Sequence, residues 1–301
     1  MEKNIWQTLW HFWKISRPLN VLISLFAFGI SCFLAQNREF GFLFDPPFWG
    51  TALTIALIAA TGYWINDVYD YRIDRVNKPN KMVVNAILSV KKVLTAYFLV
   101  IVCVLMFSFG YLGWYLFHFH ITFINFVSVL LLFIYASYLK RVSMAGNLVI
   151  AFLTALVLIL AFYLYPVNPK ENPAPIWAII FAFEITLIRE IVKDVEDIKG
   201  DLQFGLRTLP IQIGVRRTKW ALMVLYGIFL LSCYGPLLLE FLRDGVINCW
   251  YAASSLLLVQ LPSVLLIRLL IQTDEPADFG RQSRYLKYLI LSGMLTLFLI
   301  R

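Results

Sequence analysis

TALTIALIAATGYWINDVYDYRID, residues 51–74, decides the fold: an apolar run that ends in three aspartates. The run belongs to a block of about twenty residues, the length a helix needs to cross roughly 30 Å of hydrocarbon. Asp67, Asp70 and Asp74 then follow at i, i+3 and i+7, so a continuing helix carries all three carboxylates on one face. A helix that crosses a membrane and delivers a row of acids to its surface is the reading from which the others follow.

Working outward, the chain divides into nine such blocks, at 18–36, 48–68, 93–112, 119–138, 146–165, 176–195, 220–239, 248–271 and 286–300. Its 301 residues are 60% hydrophobic and 15% charged, against roughly 45–50% and about 25% in soluble domains. The expected fold is therefore an all-α polytopic membrane protein in a single domain, 1–301. The opening MEKNIWQTLWHFWKISRP is amphipathic, aromatic and basic. It lacks the apolar core and cleavage site of a signal peptide, and is expected to lie along the interface.

Charge sets the orientation. With the N-terminus inside, one side collects Lys3, Lys14 and Arg17, the basic residues from Arg72 to Lys92, Lys140 and Arg141, those from Lys193 to Lys219, and Arg281, Arg284 and Lys287. The other side receives only Arg38, Lys170, Arg243 and Arg301. This bias places the N-terminus and both acidic motifs in the cytoplasm, with a cell (inner) membrane as the expected location. The net charge of +8 thus reflects topology and anionic headgroups and gives no reason to invoke nucleic acid. Cys32, Cys103, Cys233 and Cys249 are scattered, and His118 and His120 stand among interfacial aromatics, so no zinc or redox site is expected.

A second acidic row, REIVKDVEDIKGD, places Asp194, Asp197 and Asp201 at the spacing of the first, with Glu190 one turn earlier. Each row is followed by a basic stretch and a similar re-entry, ILSVKKVLTA and IQIGVRRTKWA. An internal duplication of about 15–115 and 145–240 is expected, with the motifs facing across a cavity. Both rows sit at helix C-termini, where the dipole disfavours acids by roughly 0.3–1 kcal/mol each. Something cationic must offset them, and carboxylate and amide oxygens at an interface suit Mg²⁺ with substrate phosphates. An isoprenyl diphosphate fits that demand: its tail belongs among the spans, its head at the surface, and metal neutralises the leaving group. Tyr63, Trp64, Tyr69, Tyr135 and Tyr138 are candidate cation–π faces for the allylic cation. A secondary transporter also combines repeats with polar cavities, but binds near the midplane at helices broken by Gly or Pro, whereas these acids crowd one face.

The motifs resemble those of the UbiA superfamily of intramembrane prenyltransferases. ISRPLNVL at 15–22 is similar to its Arg-Pro entry, NDVYDYRID to its first motif, YASYLKR at 135–141 to its segment after the fourth span, and DVEDIKGD with GLRTLPIQIG to its second motif. The resemblance implies nine transmembrane helices around a central cavity with a cytoplasmic cap, and Mg²⁺-dependent transfer from an isoprenyl diphosphate, geranylgeranyl or longer, to a lipophilic acceptor. It implies metal ligation by Asn66, Asp67, Asp70 and Asp74 for one ion, and by Asp194, Asp197 and Asp201 for the other. Asp67, Asp70, Asp194, Asp197 and Lys140 form the expected catalytic set. Arg17, Asn20, Arg72, Lys81, Tyr135, Lys140, Arg141, Glu184, Arg189 and Lys193 form the expected substrate-binding set. The family's N-x-P-x-R-P appears as NKPNKMV, with Lys81 in place of Arg. The second motif most resembles the archaeal-type branch that prenylates a glyceryl phosphate ether lipid, though chlorophyll and homogentisate enzymes carry similar wording. No obligate protein partner is implied. Glu184, near mid-span, is expected either to line the acceptor pocket or to pair with a neighbouring helix, and Arg268 to snorkel.

Overall fold

The computed structural model describes residues 5–168, 171–273 and 275–300, without the side chains of Lys81 and Ala277. Lys3, Lys170 and Arg301 of the charge asymmetry, and the Lys81 side chain of the expected substrate site, lie outside the described residues.

The described residues are almost wholly helical. α1 (Ile5–Ile15) precedes α2 (Pro18–Ala35), α3 (Pro46–Asn77), α4 (Val90–Phe107), α5 (Phe119–Ser137), α6 (Ala145–Leu164) and α7 (Ala174–Glu196). Short α8 (Ile198–Gln203) and α9 (Leu209–Ile213) follow, then α10 (Val215–Ser232), α11 (Gly235–Asp244), α12 (Cys249–Ser255), α13 (Leu261–Gln272) and α14 (Phe279–Leu297). α4 runs on through a π-helical stretch, Ser108–Tyr115, and another, Leu256–Gln260, joins α12 to α13. Seven stretches are long and apolar enough to cross a membrane: α2, α3, Val90–Tyr115, α5, α6, Val215–Asp244 and Cys249–Gln272. The chain is an integral membrane protein.

α7 sits at the centre, packed on α6, α14, α10 and α2. Its Ile188, Ile191, Val192 and Val195 are fully buried against Leu222 and Tyr226 of α10 and Leu286 of α14. Outward positions such as Leu99, Met106, Leu231 and Leu265 stay exposed, as a surface facing acyl chains requires. Buried amides knit the helices where their ladders loosen. Asn125 of α5 donates to Thr54 Oγ1 at 3.1 Å and to Ser108 Oγ at 2.9 Å, where the first π stretch begins. Gln260, at the end of the second, accepts from Tyr234 OH at 2.8 Å and donates to Ser255 Oγ at 3.2 Å. α1 lies against α3 through Phe12 and Trp64, with ring centroids 5.0 Å apart, and leaves Trp6, Trp10 and Trp13 exposed.

Two sequence expectations shift. The last helix starts at Phe279, seven residues before the apolar block at 286–300, because its first turns bury Phe279 together with Gln282, which donates to Thr273 Oγ1 at 3.3 Å, and leave Arg281 and Arg284 exposed. The expected span 220–239 is two helices, broken between Ser232 and Gly235. A Cβ on Gly235 would stand 1.9 Å from the Trp177 ring of α7, and Pro236 has no N–H with which to continue the ladder. Gly235→Val is therefore expected to destabilise the protein by about 1–3 kcal/mol through overpacking. Thermal unfolding in detergent would show it as a lowered midpoint, and the same substitution made on a Trp177→Ala background would lower the midpoint less.

Candidate active site

The segment ISRP builds the first wall. Ser16 Oγ donates to Phe12 O at 2.7 Å and accepts from Trp64 Nε1 at 2.8 Å, fixing the joint between α1 and α2 to α3. Arg17 then adopts a left-handed backbone, φ 49°, a conformation costing an L-residue roughly 1–2 kcal/mol. Pro18, which needs no N–H partner, opens α2. The turn directs the Arg17 guanidinium over the Tyr63 ring, 4.8 Å from its centroid, and onto Asp67 Oδ1 at 2.8 Å. Burial alone would lower the Arg17 pKa, but Asp67 more than reverses this and the group stays charged.

The remaining carboxylates are held in the same way. Asp70 Oδ2 accepts from Asn66 Nδ2 at 2.6 Å and from Lys140 Nζ. That contact, with Tyr135 beside it, outweighs burial and raises the Lys140 pKa. Asn147 Nδ2 donates to Asp194 Oδ2 at 2.8 Å, and Lys78 Nζ bonds Asp197 Oδ2 at 2.7 Å. Asn77 closes the gap between the motifs, donating to Asp197 O at 2.9 Å and accepting from Gly200 N at 2.8 Å. A Cβ on Gly200 would come within 2.5 Å of that amide, so only glycine admits Asn77 here.

Both motifs open onto one cavity of about 350 Å³. It begins among Asp74, Asp201, Lys78 and Lys140 and descends between α2, α3, α5, α6 and α7. Beneath the aspartates its walls are mainly apolar, and it reaches Tyr251 and Leu297. Among the described residues, no three His, Cys, Asp or Glu side chains converge as a closed metal cage. The donors nevertheless fit Mg²⁺, which takes one or two carboxylates and completes its shell with water and substrate phosphate. Asn66 Oδ1 and Asp197 Oδ1 are buried without a hydrogen-bond partner. Leaving such oxygens unsatisfied costs about 1–3 kcal/mol each, and one arises from each motif.

Of the sequence-expected residues, Arg17, Asn20, Asn66, Asp70, Asp74, Tyr135, Lys140, Arg189, Lys193, Asp194, Asp197 and Asp201 line this cavity. Asp67 stands behind Arg17, off the lining. Arg72 and Arg141 do not join them: both are exposed, Arg72 bonding Tyr71 OH at 2.9 Å and Arg141 receiving the Arg207 N–H on its carbonyl. Glu184 is also off the lining, because its carboxylate accepts from Ser232 Oγ of α10 at 2.7 Å. Tyr63 and Tyr135 line the cavity, whereas Trp64 is engaged with Ser16, and Tyr69 and Tyr138 are exposed. Sequence reasoning missed Asn77, Lys78 and Asn147 as site residues, and Lys287, which lines the cavity from α14. NKP directly after the first motif was an available signal for the first two; Asn147 and Lys287 carry none without the packing.

Residues 21–286 match the profile of the UbiA prenyltransferase family. The chain belongs to that family. It is 32% identical over 258 residues to the digeranylgeranylglyceryl phosphate synthase of Saccharolobus solfataricus, covering 83% of both chains. To the enzyme of the same name from Methanobrevibacter smithii it is 29% identical over 289 residues, covering 95% of this chain and 94% of that one. A solved structure described as digeranylgeranylglyceryl phosphate synthase superposes with TM-score 0.69 at 22% identity, covering 98% of each chain. A UbiA homolog from Archaeoglobus fulgidus bound to DMAPP and Mg²⁺ gives 0.59 at 16% identity, covering 93% of this chain and 98% of that one.

Two expectations follow for this UbiA chain. Burial, with Asp197 and Asp70 adding repulsion against the pull of Lys140, pushes Asp201 up to about 7. Below that pH the metal-free carboxyl holds a proton that a cation must displace, so Mg²⁺ affinity falls as pH drops. The loss is expected to approach about tenfold per unit below pH 7 and to level off above pH 8. Isothermal titration in buffers of different ionisation enthalpy would show up to one proton released at pH 6.5. Glu184→Gln, whose amide can still accept from Ser232, is expected to keep turnover within about threefold of the parent. A steady-state assay of diphosphate release measures this directly.

Proposed function

We propose that this protein transfers an isoprenyl group from an isoprenyl diphosphate to the hydroxyl of a prenylglyceryl phosphate, a step of ether-lipid synthesis. The observation that carries the proposal is one cavity with two acidic motifs at its mouth and an apolar interior beneath them. Such a space takes a charged head and a long hydrocarbon tail in one orientation. The names of the relatives point to the same donor and acceptor classes. The interior reaching Tyr251 suits a donor of geranylgeranyl length or longer.

In this reading Asn66, Asp70 and Asp74 serve one Mg²⁺ and Asp194, Asp197 and Asp201 a second, while Asp67 holds Arg17 in place. Bound metal supplies charge neutralisation of the leaving diphosphate. Lys140 and Lys78 are placed to add positive charge to the same oxygens as they exchange their aspartates for substrate. The allylic C–O bond breaks and its electron pair leaves with the diphosphate. The face of Tyr135 borders the cation, and the apolar wall excludes water that would otherwise capture it. The acceptor hydroxyl oxygen forms the new C–O bond, and its proton passes to the released diphosphate.

Two details of topology belong to the same proposal. Adding α7 and α14 to the seven apolar stretches gives nine crossings, and the Lys/Arg bias puts the motif side in the cytoplasm of the cell membrane. The identical Asp spacing in the two motifs, 67–74 and 194–201, supports duplicated halves, 15–115 and 145–240.

Asp194→Asn and Lys140→Met are each expected to lower diphosphate release by about a hundredfold to a thousandfold. The assay supplies geranylgeranyl diphosphate, Mg²⁺ and the glyceryl phosphate lipid to detergent-purified protein. Release driven by an aromatic acid instead of the lipid would replace the acceptor but keep the chemistry. No Mg²⁺-dependent release with any donor would overturn the proposal.

A further inference from the structure

The reaction just described leaves one group of charges unused. Arg189 and Lys193 of α7 and Lys287 of α14 line the cavity together. Lys287 is near enough to be repelled electrostatically by Arg189, Lys193 and Arg17 and drawn by Glu190. Glu190 is the one acid in the group, and both its oxygens are taken, by Arg189 at 2.7 Å and Lys193 at 2.9 Å. Arg17 is matched by Asp67. Among the described residues Lys287 has no ion-pair partner, and Arg189 Nε is buried without a hydrogen-bond acceptor. Three cations thus face one carboxylate inside a largely apolar wall. Uncompensated buried charge is costly unless an anion completes it.

We infer that Lys287, Arg189 and Lys193 form a receptor for the phosphate monoester of the acceptor, separate from the diphosphate site. Arg189 stands five residues before Asp194 on α7, about 7.5 Å deeper at 1.5 Å per residue, and Lys193, next to Asp194, joins that level to the aspartates. The diphosphate needs metal, and metal needs free carboxylate oxygens; Glu190 has none to give. A metal–diphosphate complex also carries little negative charge, whereas a phosphate monoester carries nearly two at neutral pH. The α7–α14 cluster therefore complements the metal-free anion. A glycerol frame holds its free hydroxyl next to the carbon bearing the phosphate. Anchoring that phosphate one to two turns below the aspartates would set the hydroxyl beside the allylic carbon. Specificity follows from the same charge: an acceptor without phosphate leaves the cluster uncompensated.

This inference rests on the proposed acceptor, and its test separates the two. Lys287→Gln and Lys287→Arg are compared with the parent protein for KM of the glyceryl phosphate lipid, KM of geranylgeranyl diphosphate, and use of the phosphate-free prenylglycerol. Lipid retention is measured alongside by native mass spectrometry without donor. The expected result for the Gln variant is a rise of about tenfold or more in the KM of the phosphorylated lipid, with matching loss of retention. The donor KM should move less than twofold, prenylglycerol should be used unchanged, and Arg should restore the parent value. An increased donor KM would assign the cluster to the diphosphate. Equal loss with prenylglycerol would make Lys287 a packing residue; either result overturns the inference while the acceptor stands. Failure of the parent protein to retain or use the phosphorylated lipid would remove the acceptor and the inference together, and would leave Mg²⁺-dependent ionisation intact.

Discussion

The structure depends on an electrostatic conflict at the ends of α3 and α7. α3 carries Asp67, Asp70 and Asp74 along its last turns, and α7 ends with Asp194 in its last turn and Asp197 as its C-cap, where the peptide dipoles are already negative, with Asp201 following in α8. Each row then faces the other across a cavity that excludes much of the solvent. Like charges so placed repel far more strongly than on an open surface. The fold answers by bringing basic and amide groups from four separate segments. Arg17 comes from the α1–α2 joint, Lys78 from the end of α3, Lys140 from the turn after α5, and Asn147 from the start of α6. These contacts fix where the helices must stand relative to one another. The same groups are those a diphosphate would recruit, so the contacts that position the helices also gather the site's charges in one place.

Such an arrangement bears on catalysis more than on stability. Replacing a buried ion pair with apolar groups is often neutral for folding, while removing one partner is strongly unfavourable. The pairs here are exchangeable: a lysine on an aspartate can move to a phosphate oxygen when a divalent cation takes the aspartate. Asn66 Oδ1 and Asp197 Oδ1 are buried without partners and are the oxygens best placed to take part in that exchange. The strained backbone at Arg17 fits the same picture, since Ser16, Trp64 and Pro18 hold it from both sides.

Most of the helical framework was legible in the sequence, because an apolar block long enough to span a membrane has few other fates. The acidic rows were legible as a spacing but not as two helix faces: Asp67 stands behind Arg17, and α7 ends at Glu196, leaving Asp197 as its cap and Asp201 in α8. What escaped were features that belong to pairs of helices. Trp177, 58 positions away, is what requires glycine at 235, beside the break that Pro236 marks. For Glu184 the sequence left open a cavity or a neighbouring helix, and the choice depends on packing: Ser232 of α10 offers it a hydrogen bond. Arg72 and Arg141 lie beside the motifs in sequence and point away from them in space. Lys287 was counted as one more cytoplasmic charge, and only the packing of α14 on α7 brings it to the cavity.

The partition of the cations follows from the same electrostatics. Arg17, Lys78 and Lys140 each sit on a carboxylate of the two motifs, so their charge is committed until something displaces it. Arg189, Lys193 and Lys287 surround Glu190, one turn before the second row, which bonds Arg189 and Lys193, while Lys193 is also drawn by Asp194. A cavity meant only for a metal-bound diphosphate would have no use for the second group, since an excess of positive charge beside the metal would weaken metal binding. Its presence on the α7–α14 wall, reaching from Lys193 beside Asp194 down to Arg189 more than a turn deeper, supports entry of a second anion into the same space without metal. Two anions of different charge density can then occupy one cavity without exchanging places: the metal-binding rows attract the diphosphate, and the deeper cations attract the phosphate that no metal shields.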